Sequence, residues 1–133
     1  MAWSEFLPQF QHLCDPNAAG ELFAPLAEEE CEVAAFVYLG ADQRVLGMRE
    51  TRSDARDTFD LPIREVVADA LRFDARGVVM AHNHPSGDAT PSNADREATR
   101  LLARALDPLG VRLLDHLVVT RRGVTSFRTL GWL

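Results

Sequence analysis

The chain has 133 residues, room for one domain of ordinary size and not for two. Its 14 basic residues, all arginine, face 20 acidic ones, for a net charge of −6. With 47% hydrophobic and 26% charged residues it is not a disordered chain. Nor is it a protein that coats nucleic acid by bulk charge, which requires a basic face. Cys14 and Cys31 fit no C-x-x-C pattern, and a domain of this size needs no disulfide to hold its core. They read as reduced, mostly buried thiols. The N-terminus MAWSEFLPQF lacks the basic and apolar regions of a signal peptide. Residues 33–41, the longest stretch free of charge and strong polarity, fall far short of the roughly 20 that cross a bilayer. The expectation is a soluble, cytoplasmic protein.

Leu7, Phe10, Leu13, Leu22, Phe23 and Leu26 recur at helical spacings, broken by Pro16 and Asn17. They predict a short helical lead-in over residues 1–30, with a single domain over 31–133. VAAFVYL is a strand, ended by the turn Gly40-Ala41-Asp42 and paired with a second strand over 44–49. A polar loop follows over 50–58. Asp60 is placed to cap the next helix, with Pro62 in its first turn. Ile63, Val66, Val67, Ala70 and Leu71 give that helix one buried face. GVVMA, apolar throughout, reads as a central strand covered on both sides. HNHPSGDATPS is a loop by composition. Ala94, Ala98, Leu101, Leu102, Ala105 and Leu109 trace a second amphipathic helix, ended by Gly110. Two more strands, over 111–120 and 124–127, meet at Arg121-Arg122-Gly123. The fold class is α/β: one mixed sheet of about five strands flanked by helices.

The chemistry concentrates in residues 81–95. His82 and His84 lie two apart at a strand end, so both imidazoles face one side. Asp95 falls eleven residues after His84, in the first turn of the following helix, where the loop can return its carboxylate to the same point. Two imidazoles and one carboxylate form a zinc set with a fourth position left for water. Bland readings compete. A histidine at a strand end is often an ordinary surface residue, and Ser92-Asn93-Ala94-Asp95 is also a helix-capping pattern. Hydrolysis at such a metal needs a base. Glu32 heads the strand VAAFVYL on the face of Ala34, Phe36 and Tyr38, and a carboxylate there is either solvated or functional.

His82-x-His84, seven residues, Ser92, two residues and Asp95 match the H-x-H-x(7)-S-x-x-D signature of the JAMM (MPN+) metalloprotease domain without a gap. HNHPSGDATPSNAD, with IREVV before it and LLDHLVV and SFRTLGWL after it, resembles the RadC-like JAB branch over about residues 26–133. The resemblance implies a JAB/MPN-like fold and a zinc peptidase acting on a peptide or protein. It implies Zn2+ held by His82, His84 and Asp95, an oxyanion stabilised by Ser92, and Glu32 as general base. RadC-like proteins usually carry an N-terminal helix-hairpin-helix domain, whereas about 30 residues precede Glu32 here. The usual acidic end of the first strand is Gly40, and residues 49–60 lack the family's Gly-Thr stretch.

Asp115 and His116 recur in RadC-like sequences outside the signature and are expected to be structural, or to brace the metal-binding imidazoles from behind. Asn83, between the two histidines, points to the other face and reads as a bracing hydrogen bonder. Asp88 is a loop residue, His12 a surface residue, and Arg121-Arg122 a solvated hairpin tip. A second reading comes from the DNA-repair label of RadC-like proteins: a binding module whose metal is structural or idle. The charge of −6 argues against direct nucleic-acid contact. Oligomeric state is left open, a dimer included.

Overall fold

The computed structural model describes residues 21–52 and 61–133. VAAFVYL forms strand β1 (Val33–Leu39), buried at every position. β2 (Val45–Arg52) pairs with it antiparallel and runs three residues further into the expected loop. Helix α1 (Ile63–Arg72) starts one residue after Pro62, which stands at the N-cap rather than in the first turn. β3 (Gly77–Asn83) is again buried throughout and carries His82 and Asn83 as strand residues. Helix α2 (Asn93–Leu106) passes through a short 3-10 turn to Gly110, whose φ of 72° is the left-handed conformation that glycine accepts most readily. β4 (Arg112–Thr120) and β5 (Gly123–Ser126) complete the chain of elements. Asp60, His12, Cys14 and the apolar positions at 7, 10 and 13 lie outside the described residues.

The five strands form one sheet in the order β2-β1-β3-β4-β5. All neighbours are antiparallel except β3 and β4, which are parallel and joined by α2 as the crossover such a pair requires. The continuous apolar runs of β1 and β3 follow from a sheet covered on both faces. On one face Ala34, Phe36, Tyr38, Val78 and Met80 meet Val66 and Ala70 of α1 and Leu102 and Leu106 of α2. On the other, Ala35, Val37, Val79 and Ala81 meet Leu22, Phe23 and Leu26 from the helical residues 21–28. The end of the lead-in thus packs into the core. Leu71 and Leu101, expected on buried helix faces, are exposed because each lies at the edge of its apolar stripe, and Leu109, also exposed, falls in the 3-10 turn beyond the end of α2. Cys31 is exposed as well, contrary to the expectation of a buried thiol.

One polar tie secures α1 to the sheet. Asp69, buried on α1, accepts hydrogen bonds from the Tyr38 hydroxyl (2.8 Å) and from the guanidinium groups of Arg49 on β2 and Arg72. The Arg49 bonds hold the Asp69 carboxyl below the usual carboxylate range against the opposing effect of burial, and Tyr38 adds to them. No described helix is long and apolar enough to cross a membrane.

Candidate metal centre

The register of β1 against β3 builds the site. Ala34 lies opposite His82 in this antiparallel pair, so Glu32, two residues before Ala34 on the same face, comes up beside the end of β3. His82 is fully buried and His84 follows at the first position beyond the strand. Asp95 enters from the first turn of α2. One ligand atom from each of Glu32, His82, His84 and Asp95 lies within 4.8 Å of all the others. The closest approaches are His82 Nε2 to His84 Nε2 at 2.9 Å, His84 Nε2 to Asp95 Oδ2 at 3.0 Å and His82 Nε2 to Asp95 Oδ1 at 3.2 Å. Glu32 Oε1 stands further back, 4.0 Å from His82 Nε2.

The two readings of Ser92-x-x-Asp95 are both realised. Ser92 is the N-cap of α2: its Oγ accepts from Asp95 N (3.0 Å), while its own N–H donates to Asp95 Oδ2 (2.8 Å). The oxygen that closes the capping box is the same oxygen that faces His84. Capping therefore sets the direction of the carboxylate. Ser92 itself is exposed, and its O–H makes no hydrogen bond to another described residue.

Hydrogen bonds behind the imidazoles set their tautomers. The Thr99 hydroxyl donates to the Asp95 carbonyl (2.7 Å) and so accepts from His116 Nδ1–H (2.6 Å). Burial drives the pKa of His116 well below its ordinary value, so its ring is neutral and Nε2 is an acceptor. That nitrogen receives His82 Nδ1–H at 2.6 Å, which leaves a lone pair on His82 Nε2, facing the cluster. His84 Nδ1 donates to the Asp88 carbonyl (2.8 Å), which turns the lone pair of its own Nε2 the same way. Two lone pairs 2.9 Å apart, beside an aspartate and a glutamate, repel one another unless a proton or a cation stands between them. The chemistry of this donor set fits a divalent metal ion. For Asp95, burial raises the carboxyl pKa, but a proton taken up on Nε2 of His82 or His84 supplies hydrogen bonds and charge that prevail and hold it well below the carboxylate range. The hydrogen bond to Asp95 raises the pKa of His84.

His116 braces His82 directly, whereas its neighbour Asp115 serves the opposite side of β4. Asp115 Oδ1 accepts from the backbone N–H groups of His116 and Arg128, and Oδ2 from the Ser126 hydroxyl. Asn83 points away from the cluster and clamps the segment that carries Glu32. Its Oδ1 accepts from Val33 N (2.6 Å), and its Nδ2 donates to the carbonyls of Cys31 (2.9 Å) and Glu29 (3.3 Å). Sequence reasoning missed Thr99. The available signal was a polar residue four positions after Asp95, inside the buried stripe Ala98, Leu102 and Leu106.

Comparison with known proteins agrees with this architecture. The family model described as RadC-like JAB domain matches residues 13–132. The chain is 42% identical over 122 residues to a UPF0758 protein of Symbiobacterium thermophilum, covering 91% of this chain and 52% of that protein. It is 39% identical over 130 residues to a UPF0758 protein of Shewanella baltica, covering 97% and 58%. A UPF0758 protein of Xanthomonas axonopodis pv. citri is 38% identical over 128 residues, covering 96% and 57%. The chain thus spans little more than half the length of these relatives.

Proposed function

The chain belongs to the RadC-like JAB domain family, and from that premise we propose that it is a zinc-dependent metallohydrolase cleaving a peptide or isopeptide amide bond. The observation that carries this reading is the convergence of one ligand atom each from Glu32, His82, His84 and Asp95 within 4.8 Å. His82 Nε2, His84 Nε2 and an Asp95 carboxylate oxygen would hold the ion, a three-ligand set of the kind that catalytic zinc uses. Zinc bound there would supply Lewis-acid chemistry, polarising the amide carbonyl and making water nucleophilic near neutral pH.

The remaining work falls to the chain's own residues. Glu32, set back from the three ligands and half-buried, is the base. Its carboxylate takes one proton from the attacking water and returns it to the departing nitrogen. The C–O bond forms, the C–N bond breaks, and the products are a carboxylic acid and an amine. Ser92 has an O–H available to donate to the oxyanion while its oxygen still caps α2. Asn83 holds the backbone on both sides of Glu32, and His116 and the Asp88 carbonyl keep the two imidazoles in the tautomer that binds metal.

The test measures metal by mass spectrometry and cleavage on a peptide library. Stoichiometric zinc in the unaltered chain, its loss in His82→Ala, and a Glu32→Gln variant that keeps zinc without cleaving are the expected results. Metal content unchanged in His82→Ala sinks the site. Cleavage unchanged in Glu32→Gln removes Glu32 as the base.

A further inference from the structure

Away from the metal centre, α2 and the C-terminal turn enclose a pocket of about 300 Å3, lined chiefly by Arg96, Arg100, Arg104, Ala103, Phe127 and Trp132. The three arginines stand one per helical turn, at i, i+4 and i+8, along a single flank of α2. Arg100 is neutralised by Glu97 at 3.0 Å. Neither Arg96 nor Arg104 is ion-paired to an acid among the described residues, so two positive charges face this pocket in a chain of net charge −6. The opposite wall is aromatic. Trp132 lies under the Arg96 guanidinium, 4.3 Å from ring centroid to Cζ, and meets Phe127 edge-on at 5.3 Å.

That wall is held in place. The Trp132 backbone N–H donates to the Phe127 carbonyl (2.9 Å), and Asp115 grips the start of the same turn through Ser126 and the Arg128 N–H. Phe127 stacks on buried His116 at 4.5 Å. Trp132, 42% exposed, is thus held beside the Arg96 guanidinium, with Arg104 lining the same pocket. Guanidinium groups bind planar or tetrahedral oxyanions through paired N–H donors. Two uncompensated charges match a phosphate monoester, which carries about −1.5 to −2 at pH 7, better than a single carboxylate. The ring wall calls for a planar, weakly polar group attached to that phosphate. The volume lies at the lower bound for small-molecule pockets, about 300 Å3, so a single ring-bearing unit fits better than a longer ligand.

We propose that the pocket between α2 and the C-terminal turn binds a nucleoside monophosphate unit, with its phosphate on Arg96 and Arg104 and its base against Trp132. The unit is either a free nucleotide or the 5′-phosphorylated end of a strand. This site is independent of the hydrolytic reading above. The overall acidity excludes a phosphate-tracking surface but not one pocket that reads a terminal phosphate.

Calorimetric titration of the full chain with AMP tests it. Saturable binding is expected, about tenfold weaker for inorganic phosphate and about tenfold weaker in Arg104→Gln. Arg104 is exposed and has no described partner, so the variant should retain the melting temperature of the unaltered chain. Trp132→Leu should weaken AMP while leaving inorganic phosphate unchanged. A 5′-phosphorylated oligothymidylate that competes with AMP, where the unphosphorylated strand does not, would identify the strand end as the source. Failure of both strands to compete would identify the free nucleotide. Absence of saturable AMP binding at millimolar concentration overturns the proposal. So does equal affinity for AMP in Arg104→Gln and the unaltered chain, or equal affinity for AMP and inorganic phosphate.

Discussion

Asp69 and Asp95 sit on neighbouring helices, face the same side of the sheet and are equally hidden, each with a side chain 5% exposed. Their surroundings differ in charge. Asp69 meets two guanidinium groups and a tyrosine hydroxyl, so its negative charge is answered within the fold. Asp95 meets two imidazole nitrogens that present lone pairs, with Glu32 close behind. Burial alone therefore does not distinguish a structural acid from a candidate ligand. What distinguishes them is whether the chain supplies the counter-charge.

The sharpest way to break this contrast is to remove each acid in turn. Asp95→Ala should lose bound metal almost completely, whereas Asp69→Ala should keep it and lose about 2 kcal/mol of stability in urea. Since Arg49 is 34% exposed and can be hydrated once its partner is gone, this is less than a wholly buried ion pair would cost. Next in size is His116→Ala, which removes the acceptor behind His82 Nδ1. Metal affinity should fall by about 10–100-fold, read by competition with a chelator.

The charge on Asp69 can also be tested by pH. The folded-state pKa of Asp69 is depressed, so its contribution is complete above the unfolded carboxylate value of about 3.9 and is lost as pH falls through the folded value. The urea midpoint of the unaltered chain should therefore drop below about pH 4 more steeply than that of Asp69→Asn. An identical acid profile in both chains would remove Asp69 as a stabilising charge. The smallest effect belongs to Ser92→Ala. Loss of the cap should cost about 1 kcal/mol in melting or urea experiments. Metal should remain, because the Ser92 N–H still orients Asp95.

Much of this was legible in the chain. The run VAAFVYL gave β1 at its observed limits, and the spacing of His82, His84, Ser92 and Asp95 placed four residues around one point or its helix cap. Local periodicity carries both signals. It carries no information about which face a distant segment covers, so the packing of Leu22, Phe23 and Leu26 beneath the sheet was not readable. Thr99 was hidden for a related reason. Its role depends on His116, which the parallel β3–β4 pairing sets opposite Met80. The stripe-edge leucines Leu71 and Leu101 mark the same limit: helical spacing gives a face but not its width.

The carboxamide of Asn83 joins residues 50 or more positions apart and exists in one strand alignment only. If β3 slipped by a single residue, every side chain on it would change sides. Asn83 would enter the acidic cluster, and His82 and His84 would be driven into the layer of Leu117 and Val119. The clamp on Val33 would be lost in the same step. A chain that reaches this misaligned state thus gives up the three Asn83 hydrogen bonds, the buried His82–His116 contact and its candidate ligand cluster together. Asn83 thus ties the pairing of two distant strands to the geometry of the candidate metal centre.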